Sequence, residues 1–194
     1  MDEQLVRQAV CRAAHELWLR GLVAGDDGLV CVELNRRRYV IAPPGVRKAD
    51  AQPHQTRDVD LDGESVGQAR PGGRPAVPPS YWRPCSAALR LSARSAEDPR
   101  GDGPIVRACI IAQPVTLLAL LHRAGEQDHV ALASGRAIPV IDPADEERIT
   151  DTIGEAPGIL LRGVGLFVPA ASLDRALNRV ERLEHDAAIT RAAQ

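Results

Sequence analysis

The sequence predicts an α/β or α+β domain in which helices at both ends cover a central, mostly antiparallel sheet. Three observations carry this. Residues 3–22 place Leu5, Val6, Ala9, Val10, Ala13, Leu17 and Leu19 roughly at helical spacing. Ser172 caps a second periodic stretch through Ala188, with Leu173, Ala176, Leu177, Val180 and Leu183 on one face. Between them lie short apolar runs of strand length, divided by Gly and Pro.

The elements follow in order. Gly21 ends the first helix, and Gly25-Asp26-Asp27-Gly28 forms a tight turn. Leu29 to Leu34 is a buried strand and Tyr39 to Ala42 its neighbour, with Arg36-Arg37-Arg38 as a solvated hairpin tip. Pro43-Pro44-Gly45 breaks the chain. Val59 and Leu61 mark a short strand that exits through Asp62-Gly63-Glu64. Residues 67–79 read as a loop, 82–93 as a helix after Pro84, and 94–104 as a mobile loop. Val106 to Ile111 is the strongest strand, and Val115 to Arg123 is an apolar helix. Ile138 to Ile141 is a strand, Asp145 to Ile153 a short helix, and Gly158 to Val168 has strand character.

Composition bounds the function. With 194 residues, 44% of them hydrophobic, the chain can bury one ordinary core, so residues 1–194 read as a single domain. The formal charge of −2 supplies no field for nucleic acid or an anionic membrane surface, and neither is expected as a partner. Lys48 is the only lysine and lies in the polar stretch Val46 to Asp50, where a solvated side chain is expected. That argues against a Schiff base, which needs a desolvated amine. Cys11, Cys31, Cys85 and Cys109 form no CxxC pair, and the start Met-Asp-Glu has no leader character. A cytoplasmic protein with reduced thiols is the expectation.

Four segments, in order, carry a resemblance. Gly21 to Val32 is similar to a glycine turn entering a strand (GTxGNxSxR), and Ile41-Ala42-Pro43-Pro44-Gly45-Val46 to an I-T-P-S/T-G turn. Pro78 to Ala88 resembles P-S-S-E-W-x-x-H-x-A. Cys109 to Pro114 and Leu160 to Gly165 resemble a V-V-H-x-H-P and L-L-x-x-H-G pair. Together they resemble the class II aldolase/adducin family, in its L-fuculose-phosphate aldolase branch, over roughly the whole chain. The resemblance implies a three-layer domain, a zinc-type divalent ion on three histidines, a catalytic Glu, and a fourfold tetramer with sites at subunit interfaces.

The departures fall on the chemistry. The three ligand positions read Ile111, Gln113 and Val164, and Cys85 stands where some members place a further His. Tyr81 stands at the Glu position. Ile111 and Val164 offer no donor to a divalent ion, so no cofactor is expected. Of the implied phosphate cradle, Asp26 and Leu29, Pro44 and Gly45, and Pro79 and Ser80 occupy the places, with only Gly45 and Ser80 kept. Asp26 and Asp27, a turn-forming pair or alternatively a cation site, repel a phosphate dianion unless a cation intervenes, and with Gly28 they line what remains of the pocket. The chain is also shortened between Ile141 and Asp145 relative to the family.

Other candidate sites have plainer readings. His122 and His129, with Glu126 and Asp128 between them, read as a solvated polar face rather than a metal site. His15, His54 and His185 are isolated. Cys85 and Cys109 approach each other if the family fold holds, as buried inert thiols or, alternatively, a soft-metal or redox pair. The expected function is therefore that of a non-catalytic aldolase-like protein acting through assembly. Its partner is itself, as a homo-oligomer, or an active paralogue, as a hetero-oligomer. The alternatives are a lyase with a remodelled site, in which Tyr81 serves as proton donor, and a binding module for an uncharged small molecule.

Overall fold

The computed structural model describes residues 2–35, 37–67, 77–97 and 103–193. The first helix, α1 (Glu3–Leu19), starts where the Asp2 side chain accepts from the Gln4 amide. It ends three residues earlier than expected: Gly21, at φ +67°, turns the chain so that the Leu22 amide bonds back to the Leu17 carbonyl. Strands β1 (Leu29–Asn35), β2 (Arg38–Ala42) and β3 (Arg57–Val59) form an antiparallel meander. The long helix α2 (Pro79–Glu97) follows, then β4 (Ala108–Ala112), α3 (Val115–Ala124), β5 (His129–Ala131) and β6 (Ala137–Ile141). Helix α4 (Glu146–Thr152), β7 (Ile159–Leu161), β8 (Gly165–Ala170) and α5 (Leu173–Ala192) complete the described chain.

The strands form one sheet in the order β3-β2-β1-β4-β8-β7-β6-β5. Only the β6–β7 pair is parallel, so the predicted mostly antiparallel sheet is present. Side chains alternate across it and create two cores. One face carries Val30, Val40, Ile110 and Val168 against Val10 and Leu17 of α1, Leu117 of α3 and Val180 of α5. The other carries Leu29, Cys31, Cys109, Ile111 and Phe167 against Trp82 and Cys85 of α2 and Ile149 of α4. This is the expected three-layer arrangement.

Polar side chains tie the layers together. Arg7 of α1 and Arg38 of β2 both grip Asp58 of the edge strand β3, and Arg7 also bonds Glu3. Glu184 of α5 accepts from the Thr116 and Leu117 amides at 2.8 and 3.0 Å, capping α3, whose own N-cap residue is a proline.

Some expectations are corrected. Helix α2 begins at Pro79, three residues before the expected start at 82, because proline at the first helical position loses no bond. Ser80 and Tyr81 therefore sit in its first turn. Residues 94–97 are helical rather than part of a loop, while 98–102 lie outside the described residues, as do 68–76 of the other predicted loop. At the hairpin tip Arg36 is likewise outside, but Arg38 is held by Asp58 and Glu3 rather than solvated. Among the described residues no helix is long and apolar enough to cross a membrane.

Candidate functional site

Strand register gathers the implied site at one end of the sheet. Leu29 pairs with Ile111, Val30 with Ala42, and Ala112 with Leu166. Gly28, Pro43, Gln113 and Gly165 consequently leave the sheet at the same end. Helix α2 brings Ser80, Tyr81 and Cys85 against the same core face.

The turn before β1 is tight. The Asp27 amide donates to the Ala24 carbonyl at 3.0 Å, leaving both aspartate side chains exposed. Gly28 is required here twice over. Its φ is +80°, and a Cβ would lie 2.8 Å from the Ile111 carbonyl oxygen and 2.9 Å from Val23 Cγ1.

The turn after β2 folds onto this one. Gly45 donates its amide to the Asp26 carbonyl at 3.0 Å, and Lys48 donates its amide to Gly25 at 3.1 Å. The Lys48 side chain completes the clasp. Its Nζ donates to the carbonyls of Pro43, Val46 and Asp26 at 2.8, 2.9 and 3.2 Å. Lys48 is 0% exposed, which overturns the expected solvated side chain. The cause is the density of carbonyls that the two turns aim inward, which three ammonium protons satisfy together. Burial pushes its pKa down to about 8, against the pull of Asp26 and Asp27. With all three donors spent on carbonyls, the amine serves as a clasp rather than a nucleophile.

At the end of β4 the apolar residues are packed away. Ile111 is 0% exposed within the core that includes Cys85 and Phe167, and Val164 packs against that core. Gln113 Nε2 donates to the Val164 carbonyl at 3.3 Å, while its Oε1 is buried without a partner. The three positions that the resemblance assigns to metal are therefore brought together, but they do not fit a divalent ion. Two lack any donor atom, and the amide of the third is turned to backbone. Among the described residues no group of three or more His, Cys, Asp or Glu is placed to hold a metal.

Tyr81 packs against the same core near the aspartate turn. Burial first, then the charge of Asp27, pushes its phenol up, with the Gly28 amide pulling partly back. It stays protonated at neutral pH, so it can donate a proton but is a poor base. Ser80 is half-buried beside it. Cys85 shares this core with Cys109, and Cys109 lies directly across from Cys31; all three are free thiols. All three thiols are fully buried, and burial raises Cys31 and Cys85 well above the ordinary range. His122 and His129 lie on different elements, α3 and β5, and both are exposed.

Sequence reasoning missed the Lys48 clasp. A lone lysine shortly after a Pro-Pro-Gly turn was the only signal available.

Two helical layers around a sheet, with the glycine turn, the proline turn, the head of α2 and the end of β4 meeting at one edge, define a class II aldolase-like architecture. The profile of the Class II Aldolase and Adducin N-terminal domain matches residues 8–96 and 102–190, and the chain belongs to that family. Solved structures agree in fold. YgbL from Escherichia coli, described as a candidate aldolase, epimerase or decarboxylase, superposes with a TM-score of 0.73 at 20% identity, covering 99% of this chain and 91% of that one. L-fuculose-1-phosphate aldolase from Thermus thermophilus gives 0.69 at 20% identity over 95% and 91%. A sugar-phosphate aldolase from Thermotoga maritima gives 0.70 at 15% identity over 96% and 93%. Identities this low speak for the fold alone. No curated protein sequence matches significantly.

Proposed function

We propose that this chain is a non-catalytic class II aldolase family protein that acts through assembly. It serves as a structural or regulatory subunit, in a homo-oligomer, with the tetramer as the expected form, or beside an active paralogue in the cytoplasm. The observation that carries this is the packing of Ile111 and Val164 with Gln113 bonded across to the Val164 carbonyl. A Lewis-acid ion would stabilise an enediolate oxygen, and retro-aldol cleavage without such stabilisation loses its largest electrostatic contribution. The turns that would hold a phosphate are bonded to each other through Gly45 and Lys48, and they present Asp26 and Asp27 outward.

Retro-aldol assays on ketose phosphates, with and without added zinc, test this directly. No turnover is expected, together with an oligomer by native mass spectrometry. A second reading, a remodelled lyase, is favoured by Tyr81, a protonated phenol beside the aspartate turn. Turnover that scales with protein and disappears in Tyr81→Phe would establish that reading and defeat the first.

A further inference from the structure

The opposite end of the sheet carries a cleft separate from the aldolase-like site. Strand β6 runs parallel to β7, with Ile141 beside Leu161 and Leu161 beside Gly165, so Ala137 lies at the end remote from that site. There, β6, the turn after α4 and α5 line an open cleft of about 780 Å³. That falls within the range of about 300–1,000 Å³ usual for small-molecule sites.

Its lining includes Arg136, Arg179 and Arg182 and a single carboxylate, Glu155, within a chain whose net charge is −2. Arg179 and Arg182 stand three residues apart on α5 and so share a face. Arg179 is oriented by donating from Nη1 to the Pro169 carbonyl at 2.9 Å, and its other donors have no partner among the described residues. Among the described residues the Arg136 guanidinium makes only a loose ion pair, 3.8 Å from Asp186. Arg182 has no hydrogen-bond or ion-pair partner among the described residues. Like charges gathered this way repel unless a counter-anion joins them. Guanidinium forks match phosphate and carboxylate groups, and the half-buried Pro139 and Pro157 supply apolar wall for an organic body.

The geometry points to a binding site for a small organic polyanion, a phosphate ester or polycarboxylate, at the end of the sheet opposite the aldolase-like site. The test is thermal denaturation with inorganic pyrophosphate and with citrate, at ionic strength held constant with sodium chloride, backed by titration calorimetry. The wild-type protein should show a saturable rise in Tm with at least one probe. Response to pyrophosphate alone assigns the phosphate class, and response to citrate alone the polycarboxylate class. Arg182→Gln should fold normally, since its side chain is exposed and unpaired, and should weaken binding about tenfold or more; Arg136→Gln should act in the same direction. Three results would overturn the proposal. These are no saturable response to either probe, binding unchanged in both arginine variants, or binding lost in Ser80→Ala but kept in Arg182→Gln.

Discussion

Replacing Lys48 by methionine removes one ammonium and leaves the alkyl stem. Three charge-assisted bonds are lost, worth about 1.5–3 kcal/mol each. The cost of burying the charge is recovered: a pKa held at about 8 instead of 10.5 corresponds to about 3 kcal/mol. Two of the carbonyls are also partly rescued. Asp26 still accepts from the Gly45 amide, and Val46 is not buried, so water can reach its carbonyl. The net loss expected is about 2–3 kcal/mol, against about 0.5 kcal/mol or less for an ordinary surface lysine. Urea denaturation measures it, and native-state hydrogen exchange localises it. Protection should fall at the Gly45 and Lys48 amides, which bond to the first turn. A stability change under about 0.5 kcal/mol with unchanged exchange at these amides would refute the clasp.

Further predictions follow from the same contacts. Between about pH 8 and 10.5 the unfolded chain holds the Lys48 proton and the folded chain does not, so this group's contribution to stability rises with pH. Lys48→Met should therefore lose more stability relative to wild type at about pH 10 than at about pH 7; a constant gap in urea denaturation would contradict this. Gly28→Ala forces a positive φ onto alanine and drives its Cβ into the Ile111 carbonyl and Val23, and should cost about 3 kcal/mol. A variant as stable as wild type by thermal denaturation would show that the turn can relax. Ile111→His with Gln113→His and Val164→His should lower stability in the absence of metal, since burying Ile111 alone contributes about 1.5–3 kcal/mol. Added zinc should raise its Tm, and a triple variant more stable than wild type without metal would contradict the packed site. Cys31, Cys85 and Cys109, buried and with burial raising Cys31 and Cys85, should resist a thiol reagent at neutral pH until the protein unfolds. Rapid labelling of Cys85 in the native state, read by peptide mass, would disprove this.

Much of the layering was legible because periodicity reports burial. The apolar face of α5, the run ending at Ile111 and Val6, Val10, Ala13 and Leu17 of α1 found the expected layers, whereas Leu5 and Leu19 of α1 are exposed. Strand β5 escaped because only Val130 of its three residues is buried, which leaves no pattern to detect. The start of α2 differs because Pro84 reads as a boundary in the sequence, whereas Pro79 opens the helix and Pro84 is carried inside it. The candidate site was legible only as a set of substituted positions. That Ile111, Gln113 and Val164 meet follows from strand register, which a single sequence does not reveal. For Lys48, local polarity predicts solvation, while its side chain bonds two carbonyls of its own turn, Pro43 and Val46, and the Asp26 carbonyl of a turn 22 residues earlier that folds onto it. The Glu184 cap on α3 and the arginine cleft are similarly long-range.

We propose above all that the aldolase fold here is packed closed at Ile111, Gln113 and Val164, the positions where the resemblance places a metal. Metal content is the measurement that tests it most directly. The protein would be purified without chelator, offered zinc, dialysed, and analysed by elemental mass spectrometry. The account predicts no retained stoichiometric metal. One tightly held equivalent per chain, surviving dialysis, would contradict it and require ligands other than Ile111, Gln113 and Val164.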